Sequence, residues 1–374
     1  MALDFELTAE QQQLKKDVAE VAAKYSYLAY GCDRDSTVPY PLFEEVGKRK
    51  WMGSFIPVEY GGMGKGAIEF SIITEELSRA GFMGFNTAAQ VGVSLLVAGT
   101  EEQKQKYLPK LANGEMLTCS AISEPLAGSS WDSMETTAVK REGKYVLNGI
   151  KIHINYAAEA DVLMVYAKTG KGVTIFLVDK GTPGISFKKV DPIGLRMQPL
   201  SDIYFKDCEI PESNLLSKEG HALDVFIPSF NLSRIGNASR LIGISRGALE
   251  TAIGYAKDRD VGKYKVTDFQ GIRWIVADLH SKIEAATLLR DKAAWLLDQG
   301  ADPALALATA KLVATNVAEE VTSKVFSLTG GWGLYRERPF ERFWRDAMVG
   351  KQGGGSTEVL KNFIARRILG KPQY

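Results

Sequence analysis

The stretch "CSAISEPLAGSSWD" combines residue types that can bind a polar ring or an anion. A strand delivers the hydroxyls of Ser120 and Ser123, then breaks at a proline and continues through Gly128 and Ser129. Hydroxyl groups beside uncovered backbone amides can hydrogen-bond a heteroaromatic ring or a phosphate. The alternative is a polar loop after an edge strand, which composition alone favours.

Two further stretches carry groups that could contact a ligand. In "KIHINYAAEAD", alternation along a strand predicts that His153 and Asn155 share one face. A single strand histidine is more often structural than catalytic. In "LTGGWGLYRERP", Gly330 and Gly331 indicate either a helix C-cap or a close approach of the backbone to a bound ligand.

Three consecutive glycines precede the last predicted helix, in "GKQGGGSTEVL". Glycines ahead of a helix that begins near Thr357 leave amide hydrogens uncovered at its positive end, where a carbonyl oxygen or an anion can bind. An ordinary N-cap explains the same residues. Neither this stretch nor "GGMGKG" fits the established phosphate-loop spacings.

Composition narrows the class of partner. The 374 residues hold 46 basic and 45 acidic side chains, so the net charge of +1 gives no reason to expect nucleic acid as a partner. Three cysteines, Cys32, Cys119 and Cys208, lack paired spacing, and three histidines are too few and too scattered for a metal site. No apolar run approaches membrane-spanning length. These features predict a cytoplasmic protein with neither metal nor membrane span.

The hydrophobic period divides the chain into three predicted domains. Residues 1–116 have a helical period, with capping-box spacings at Thr8 and Thr100. Residues 117–217 alternate as short strands separated by turn residues. The helical period returns over 218–374 in long segments typical of an antiparallel bundle. The fold class is therefore α+β, mainly α.

Taken together, these stretches resemble the acyl-CoA dehydrogenase superfamily of flavoproteins. The family's T-E-P-x-A-G-S-D strand is similar to "SEPLAGSS", and "GLRMQPLSDIYFKDCEIPESNLL", "FQGIRWIVADL" and "TGGWGLYRERPFERFWRDA" follow in the family's order. The resemblance implies an N-terminal helical domain, a central β-domain and a C-terminal four-helix bundle. It also implies FAD at each subunit interface of a dimer of dimers.

The resemblance assigns roles to individual residues of this chain. It places one set of residues beside the flavin ring: Ile122, Ser123, Ser129, His153 and Asn155. It places Arg259 and Gln270 on the FAD phosphates of a neighbouring subunit, and Gly330 and Gly331 along its adenosine half. Ser129, Gln90, Ser233 and Arg234 are predicted to line the substrate site. Ser356 takes the place of the family's threonine after the catalytic loop.

The main departure from the family lies in the triple glycine. Most members have Y-E-G-T before the last helix, and this glutamate removes the α-proton of the thioester. Here Gly354 takes the place of the glutamate, and Ser233 precedes Arg234 where some members carry the base instead. The family's W-I-T also becomes "HIN", its R-x-x-F-G reads "RDVG", and the glutamine before G-G-x-G is Ser327.

Three functions are compatible with this pattern. The first is an FAD-dependent enzyme that dehydrogenates acyl-CoA, or performs the reverse reaction, and exchanges electrons with an electron-transferring flavoprotein. The second is a non-redox elimination, such as a desulfination, assisted by flavin and the Gly354 amide. The third is a non-catalytic subunit that assembles with a paralogue, in place of a homotetramer. Gln90 cannot titrate, so no replacement base is evident.

Overall fold

The computed structural model describes residues 6–131 and 133–370. In chain order, helices α1 to α11 span Ala9–Tyr25, Leu28–Asp35, Tyr40–Lys48, Ala67–Arg79, Asn86–Ala98, Glu101–Ala112, Ala222–Asp258, Gln270–Asp298, Ala304–Thr329, Phe340–Val349 and Thr357–Leu369. Strands β1 to β10 span Thr118–Ala121, Thr137–Arg141, Lys144–Asn155, Val162–Thr169, Gly172–Asp179, Ile185–Val190, Leu200–Pro211, Leu215–Leu216, Asp260–Val261 and Tyr264–Lys265.

By its internal contacts the chain forms two compact units. The first unit comprises Met1–Asp33, Gly66–Gly84 and Arg234–Tyr374, and the second comprises Arg34–Lys65 and Phe85–Ser233. Helix α7 begins in the second unit and continues into the first. The three domain boundaries drawn from the sequence remain predictions.

The second unit is built on an eight-stranded sheet with the strand order β6-β7-β3-β2-β4-β5-β8, and β1 pairs in parallel with β4. The paired strands along this path are antiparallel except for β2 and β4. Buried side chains on one set of alternating positions form its core, including Leu147, Val165 and Phe176. The alternation predicted from the sequence is confirmed for most of β3, β6 and β7, whereas β4 and β5 are buried on both faces. Strand β1 ends where the hydroxyl-rich loop begins.

The first unit is helical. Helix α1 packs on α4 and α4 on α8, whereas α8, α10 and α11 all pack on α9. The bundle core consists of small and branched side chains, among them Ile244, Leu279, Ala314 and Val321. Small residues allow helix axes to approach closely.

Side chains close the helix ends as the spacings predict. Thr8 and Thr100 each form a capping box with the glutamine three residues later. Helix α4, which follows "GGMGKG", is capped from afar, because the Asp298 carboxylate accepts hydrogen bonds from Ala67 N at 2.6 Å and Ile68 N at 3.1 Å. These amides are therefore already satisfied, and this glycine-rich turn is a structural element.

Candidate active site

The triple glycine forms a tight loop between α10 and α11. Gln352 N and Gly353 N both donate to the Val349 carbonyl at 3.1 Å. Gly354 and Gly355 then adopt φ angles of +74° and +94°. Left-handed backbone of this kind is strained for residues with a Cβ, so the loop's conformation favours glycine at both positions. Within the described part of the chain, the Gly354 N–H donates to no acceptor, which leaves it available to a ligand.

Asn237 of α7 occupies the space beside Gly354. A Cβ built on Gly354 would lie 2.7 Å from Asn237 Nδ2 and 3.0 Å from its Cγ. The Asn237 side chain is buried, at 6% exposure. The Asn237 amide is therefore close enough to clash with any side chain at position 354. Sequence reasoning missed Asn237, although an asparagine inside the otherwise small and apolar "RIGNASRLIG" was a signal.

Arg234, one of the predicted substrate residues, also reaches this loop. Its Nη2 atom lies 3.9 Å from the position of a Cβ on Gly355. Burial lowers the pKa of Arg234 from its ordinary value. Since arginine has an ordinary pKa above 12, the guanidinium stays charged and contributes a positive potential beside the loop.

Lys311 of α9 anchors the loop from behind. Its ammonium donates to the Gly350 carbonyl at 2.6 Å and to the Gly355 carbonyl at 2.8 Å. The side chain is fully buried. Burial, together with repulsion from Arg240 and Arg234, lowers the pKa of Lys311 to about 8. Sequence reasoning missed this residue too; the signal was a lysine within the apolar stretch "ALALATAKLVATNVA".

Ser356 caps the last helix. Its Oγ accepts a hydrogen bond from Val359 N at 3.3 Å, and α11 begins at Thr357. The N-cap explanation of the glycine-rich stretch is thus confirmed for Ser356. The cap and the available Gly354 amide coexist because they belong to different residues of the loop.

In the second unit, a buried ion pair holds the loop that follows β1. Lys151 Nζ donates to Glu124 Oε1 at 2.7 Å and to the Ile122 carbonyl at 3.0 Å, and Ile152 N donates to the Ser123 carbonyl at 2.9 Å. The carbonyls of Ile122 and Ser123 are therefore fixed. Their N–H groups donate to no acceptor among residues 6–131 and 133–370. This edge offers two oriented amides to a ligand.

His153 lies in a β-bulge, which corrects the prediction that it shares a face with Asn155. The register between β3 and β7 shifts between Lys151 and Ile154, and His153 has a φ of +58°. Because the bulge interrupts the two-residue alternation, periodicity does not determine which face of the sheet carries the imidazole. The side chain is exposed, and the backbone N–H donates to Asp202 at 3.1 Å.

The structure brings together one predicted pair from the substrate site. Gln90 Nε2 of α5 donates to Ser233 Oγ of α7 at 3.1 Å, within the second unit. Ser129, by contrast, is exposed in the loop after β1. In the described part of the chain it makes no hydrogen bond to Gln90 or Ser233, and the substrate roles of all three residues stay predictions.

The predicted phosphate and adenosine residues lie on the surface of the first unit. Arg259 and Gln270 are exposed, and a Cβ on Gly330 or Gly331 would meet open space. A cavity of about 490 Å³ lies on the same unit, and its lining contains none of these four residues. The lining residues are Ile253, Ala256, Lys257, Thr267, Ile272, Arg273, Val276, Ala277, His280 and Leu328.

Comparison with known proteins identifies the class. The models for the acyl-CoA dehydrogenase N-terminal, middle and C-terminal domains match residues 8–115, 119–208 and 220–369. The chain belongs to the acyl-CoA dehydrogenase family. It is a flavoenzyme of the acyl-CoA dehydrogenase type that acts on CoA thioesters, with FAD as its cofactor.

Individual relatives match over almost their full length. The short-chain specific acyl-CoA dehydrogenase of Clostridium acetobutylicum is 35% identical and aligns over 98% of this chain and 100% of its own. Acryloyl-CoA reductase (NADH) of Anaerotignum propionicum is 34% identical over 98% and 96%. A solved structure from work on the electron transferring flavoprotein of Acidaminococcus fermentans superimposes with a TM-score of 0.93 at 34% identity, covering 99% and 100%. The predicted family and fold class are confirmed.

The residues present fit FAD. The oriented amides of Ile122 and Ser123 match the hydrogen-bonding edge of a flavin ring, and the open backbone at Gly330 and Gly331 leaves room for a nucleotide. Among residues 6–131 and 133–370, no cluster of three or more potential metal ligands occurs. No helix in the same part of the chain is both long and apolar enough to cross a membrane.

Proposed function

We propose that this flavoenzyme interconverts an acyl-CoA thioester and its α,β-unsaturated form without a carboxylate base in the loop. The observation that carries the proposal is Gly354, whose N–H has no acceptor in the described chain and whose missing side chain is replaced in space by the Asn237 amide. FAD, when bound, supplies the hydride-accepting chemistry of the dehydrogenation. The loop therefore keeps a hydrogen-bond donor for the thioester oxygen but has no side chain that can accept the α-proton.

Gly354 acts in this proposal through its backbone. Its N–H donates to the thioester carbonyl oxygen, where negative charge develops as the α-proton leaves. One such preorganised donor contributes about 3–4 kcal/mol of transition-state stabilisation, whereas a general base adds about 10²–10⁴-fold in rate. The positive charges of Lys311 and Arg234 act in the same direction. Stabilisation of the enolate can therefore offset part of the missing base.

The proton and the hydride leave separately. The Cα–H bond breaks to give a proton, which a water molecule at the Asn237 side chain would accept. The hydride of the Cβ–H bond would be taken up by bound FAD as the Cα=Cβ bond forms. In the reverse direction the same water returns the proton. Water is a weak base, so the proposal predicts slow turnover with simple alkyl thioesters and faster turnover where the α-proton is acidified.

The remaining roles follow the family pattern and are part of the proposal. Ile122, Ser123, His153, Asn155 and Ser129 would hold the flavin end of FAD. A second group would hold its phosphates and adenosine from the surface of another subunit: Arg259, Gln270, Gly330 and Gly331. Ser356, at the position of the family's threonine after the catalytic loop, would also contact the cofactor. The Gln90–Ser233 pair and Arg234 would contact the acyl group. Electrons would pass to an electron-transferring flavoprotein, which similarity to the Acidaminococcus fermentans structure supports.

A second candidate is elimination of a leaving group from an acyl-CoA without net oxidation. The observation that favours it is again the loop, since a neutral amide from Asn237 stands where dehydrogenation needs a proton acceptor. If an α-carboxylate or α-sulfinate departs as CO2 or SO2, the electrons of the broken bond stay on Cα, and the enolate formed is stabilised by Gly354 N–H before water protonates it. The two candidates differ in whether FAD is reduced.

Anaerobic titration of the FAD-loaded protein tests the proposal. We expect butyryl-CoA to bleach the flavin absorbance slowly with formation of crotonyl-CoA, and the relation to acryloyl-CoA reductase makes crotonyl-CoA reduction by chemically reduced enzyme the matching reverse assay. Product without bleaching from malonyl-CoA, which carries a carboxylate on Cα, would establish elimination instead. A chain that binds no FAD until a paralogue is co-expressed would contradict both candidates and indicate a non-catalytic subunit.

We also propose that the chain assembles with copies of itself through α8. Trp274, Leu288 and Trp295 are spaced by fourteen and seven residues, and are 65%, 52% and 44% exposed. Apolar side chains at heptad spacing lie on one helix face and favour burial against another helix. We expect a tetramer by light scattering, and Trp274→Glu with Trp295→Glu should yield smaller species. A wild-type monomer would contradict self-assembly, and a stable complex with a paralogue alone would indicate a hetero-oligomer.

A further inference from the structure

The loop that carries Gly354 is the least constrained backbone expected near the site. It contains three consecutive glycines, each of which loses more conformational freedom on folding than any other residue. Its own turn bonds reach only as far as Gly353 N, and the Thr357 N–H closes it by donating to the Lys351 carbonyl at 3.1 Å. The two residues between, Gly354 and Gly355, need an external anchor to keep a single conformation.

Lys311 supplies that anchor at both ends of the loop. Its Nζ bonds to Gly350 and Gly355 are short and charge-assisted, a class about twice as strong as neutral hydrogen bonds. A fully buried ammonium is costly to desolvate, and it is repelled by Arg240 and Arg234. A neutral donor could hydrogen-bond the same two carbonyls with a smaller desolvation penalty. The buried charge therefore indicates a functional role.

We propose that Lys311 is a positioning residue for the thioester chemistry: its ammonium, bridging the carbonyls of Gly350 and Gly355, fixes the glycine loop so that the Gly354 N–H stays available to the thioester oxygen. The inference rests on the proposed function. The charge has a second effect, because a cation within 3 Å of the loop in a water-poor interior stabilises negative charge on the bound oxygen.

The protonation state of Lys311 connects this role to pH. The charges that act on Lys311 are Arg240 and Arg234 of α7, which disfavour the ammonium, and Glu358 of α11, which favours it. With its pKa lowered to about 8, Lys311 is protonated below pH 8 and becomes a neutral amine with one donor fewer above it. Activity that depends on the charged anchor therefore falls as pH rises through 8.

The free energy of unfolding changes in the opposite direction as pH rises. The folded pKa of about 8 lies below the ordinary 10.5, so folding disfavours the charged form, and this penalty is full below pH 8 and fades between pH 8 and 10.5. A purely structural lysine would change the free energy of unfolding alone. A positioning lysine gives activity and stability opposite pH slopes, and this separates the two roles.

The test compares FAD-loaded Lys311→Met with Lys311→Arg and with the control Lys351→Met. Lys351 lies in the same loop, but its side chain is 39% exposed and pairs with Glu319 on the surface. We expect Lys311→Met to lower kcat for butyryl-CoA about 10²-fold, the scale of a misplaced catalytic group, with little change in KM. Lys311→Arg should retain more activity and lose the decline above pH 8, and Lys351→Met should match wild type.

Hydrogen exchange gives a readout that needs no turnover. Amides of residues 353–357 should exchange faster in Lys311→Met than in wild type or Lys351→Met, while the α8 and α9 core is unchanged. Unchanged loop exchange together with an unchanged pH profile would overturn the proposal. If Lys311→Met does not fold, Lys311→Gln carries the test, since it keeps donors without charge. If wild type is inactive on every thioester tested but loop exchange still rises in Lys311→Met, the proposed function is refuted and the anchoring role of Lys311 stands.

Discussion

Replacing Gly354 with glutamate is expected to give little dehydrogenase activity unless Asn237 is shortened in the same protein. The single change places a Cβ 2.7 Å from Asn237 Nδ2 and imposes a φ of +74° on a residue with a side chain. The backbone strain costs about 1–2 kcal/mol. Crowding in a packed site adds about 1–3 kcal/mol. Gly354→Glu should therefore unfold at lower urea and present its carboxylate poorly.

The double variant, Asn237→Ala with Gly354→Glu, removes the crowding and leaves only the backbone strain. A carboxylate positioned at the α-proton adds about 10²–10⁴-fold to proton transfer, so butyryl-CoA oxidation should rise by at least about 10²-fold over wild type. Rapid anaerobic mixing, followed by flavin absorbance, measures this rate. The gain should be measurable with straight-chain substrates such as butyryl-CoA.

Gly355→Glu is the matched control. A Cβ at Gly355 has no neighbour closer than 3.7 Å, and its φ of +94° imposes comparable strain. This variant should fold with similar loss of stability and gain no activity, because its carboxylate begins one residue away. Equal activity from Gly355→Glu and the double variant would show that the loop aligns differently from our assignment. Full activity from Gly354→Glu alone would show that Asn237 does not obstruct the position.

Local patterns predicted the fold, because the interactions behind them are local. A capping box needs only residues three apart, and both predicted boxes are present. Alternation reports which strand face is buried, and β3, β6 and β7 follow it over most of their length, whereas β4 and β5 are buried on both faces. The bulge at His153 and the register shift at Leu147–Gly149 also depart from it, because such shifts arise from pairing with β7, a strand about fifty residues further along the chain.

The candidate site depends on contacts that sequence periodicity does not contain. Asn237 and Gly354 are more than one hundred residues apart in the chain, as are Asp298 and the α4 amides that it caps. Sequence reasoning missed Lys311 because a lysine in an apolar helix usually packs its aliphatic stem on the helix surface and extends its ammonium to solvent. The sequence alone shows that position 354 lacks a glutamate. The groups around it, Asn237 of α7 and Lys311 of α9, are identified only from the three-dimensional structure.

Removal of the buried cation in the second unit should be the most destabilising single change that we predict. Lys151 and Glu124 have side chains that are 0% and 2% exposed, and their ion pair holds the loop between β1 and β2. Burial lowers the pKa of Lys151 to about 8. Burial also acts to raise the pKa of Glu124, but hydrogen bonds from Glu135 N, Lys151 and Thr136 N outweigh it and lower that pKa.

Lys151→Met leaves the Glu124 carboxylate buried without its cation, a change that costs about 3–5 kcal/mol in comparable pairs. The Ile122 carbonyl loses its donor as well, so FAD content after purification should fall together with the urea midpoint. Lys140→Met on the adjacent strand β2 is the control. Its partner is Glu212, both side chains are about half exposed, and such surface pairs are worth about 0–1 kcal/mol.

A second variant separates the charge from the hydrogen bonds. In Lys151→Met with Glu124→Gln the buried negative charge is gone, while the amide oxygen still accepts from Glu135 N and Thr136 N. Because the penalty in the single variant comes mainly from the uncompensated charge, this double variant should recover more than half of the lost stability. It should also recover FAD, since the carbonyl of Ile122 then follows a loop that is held by the same two amides. A double variant no more stable than Lys151→Met would mean that the bond from Lys151 to Ile122, and not the charge, holds the flavin edge in place.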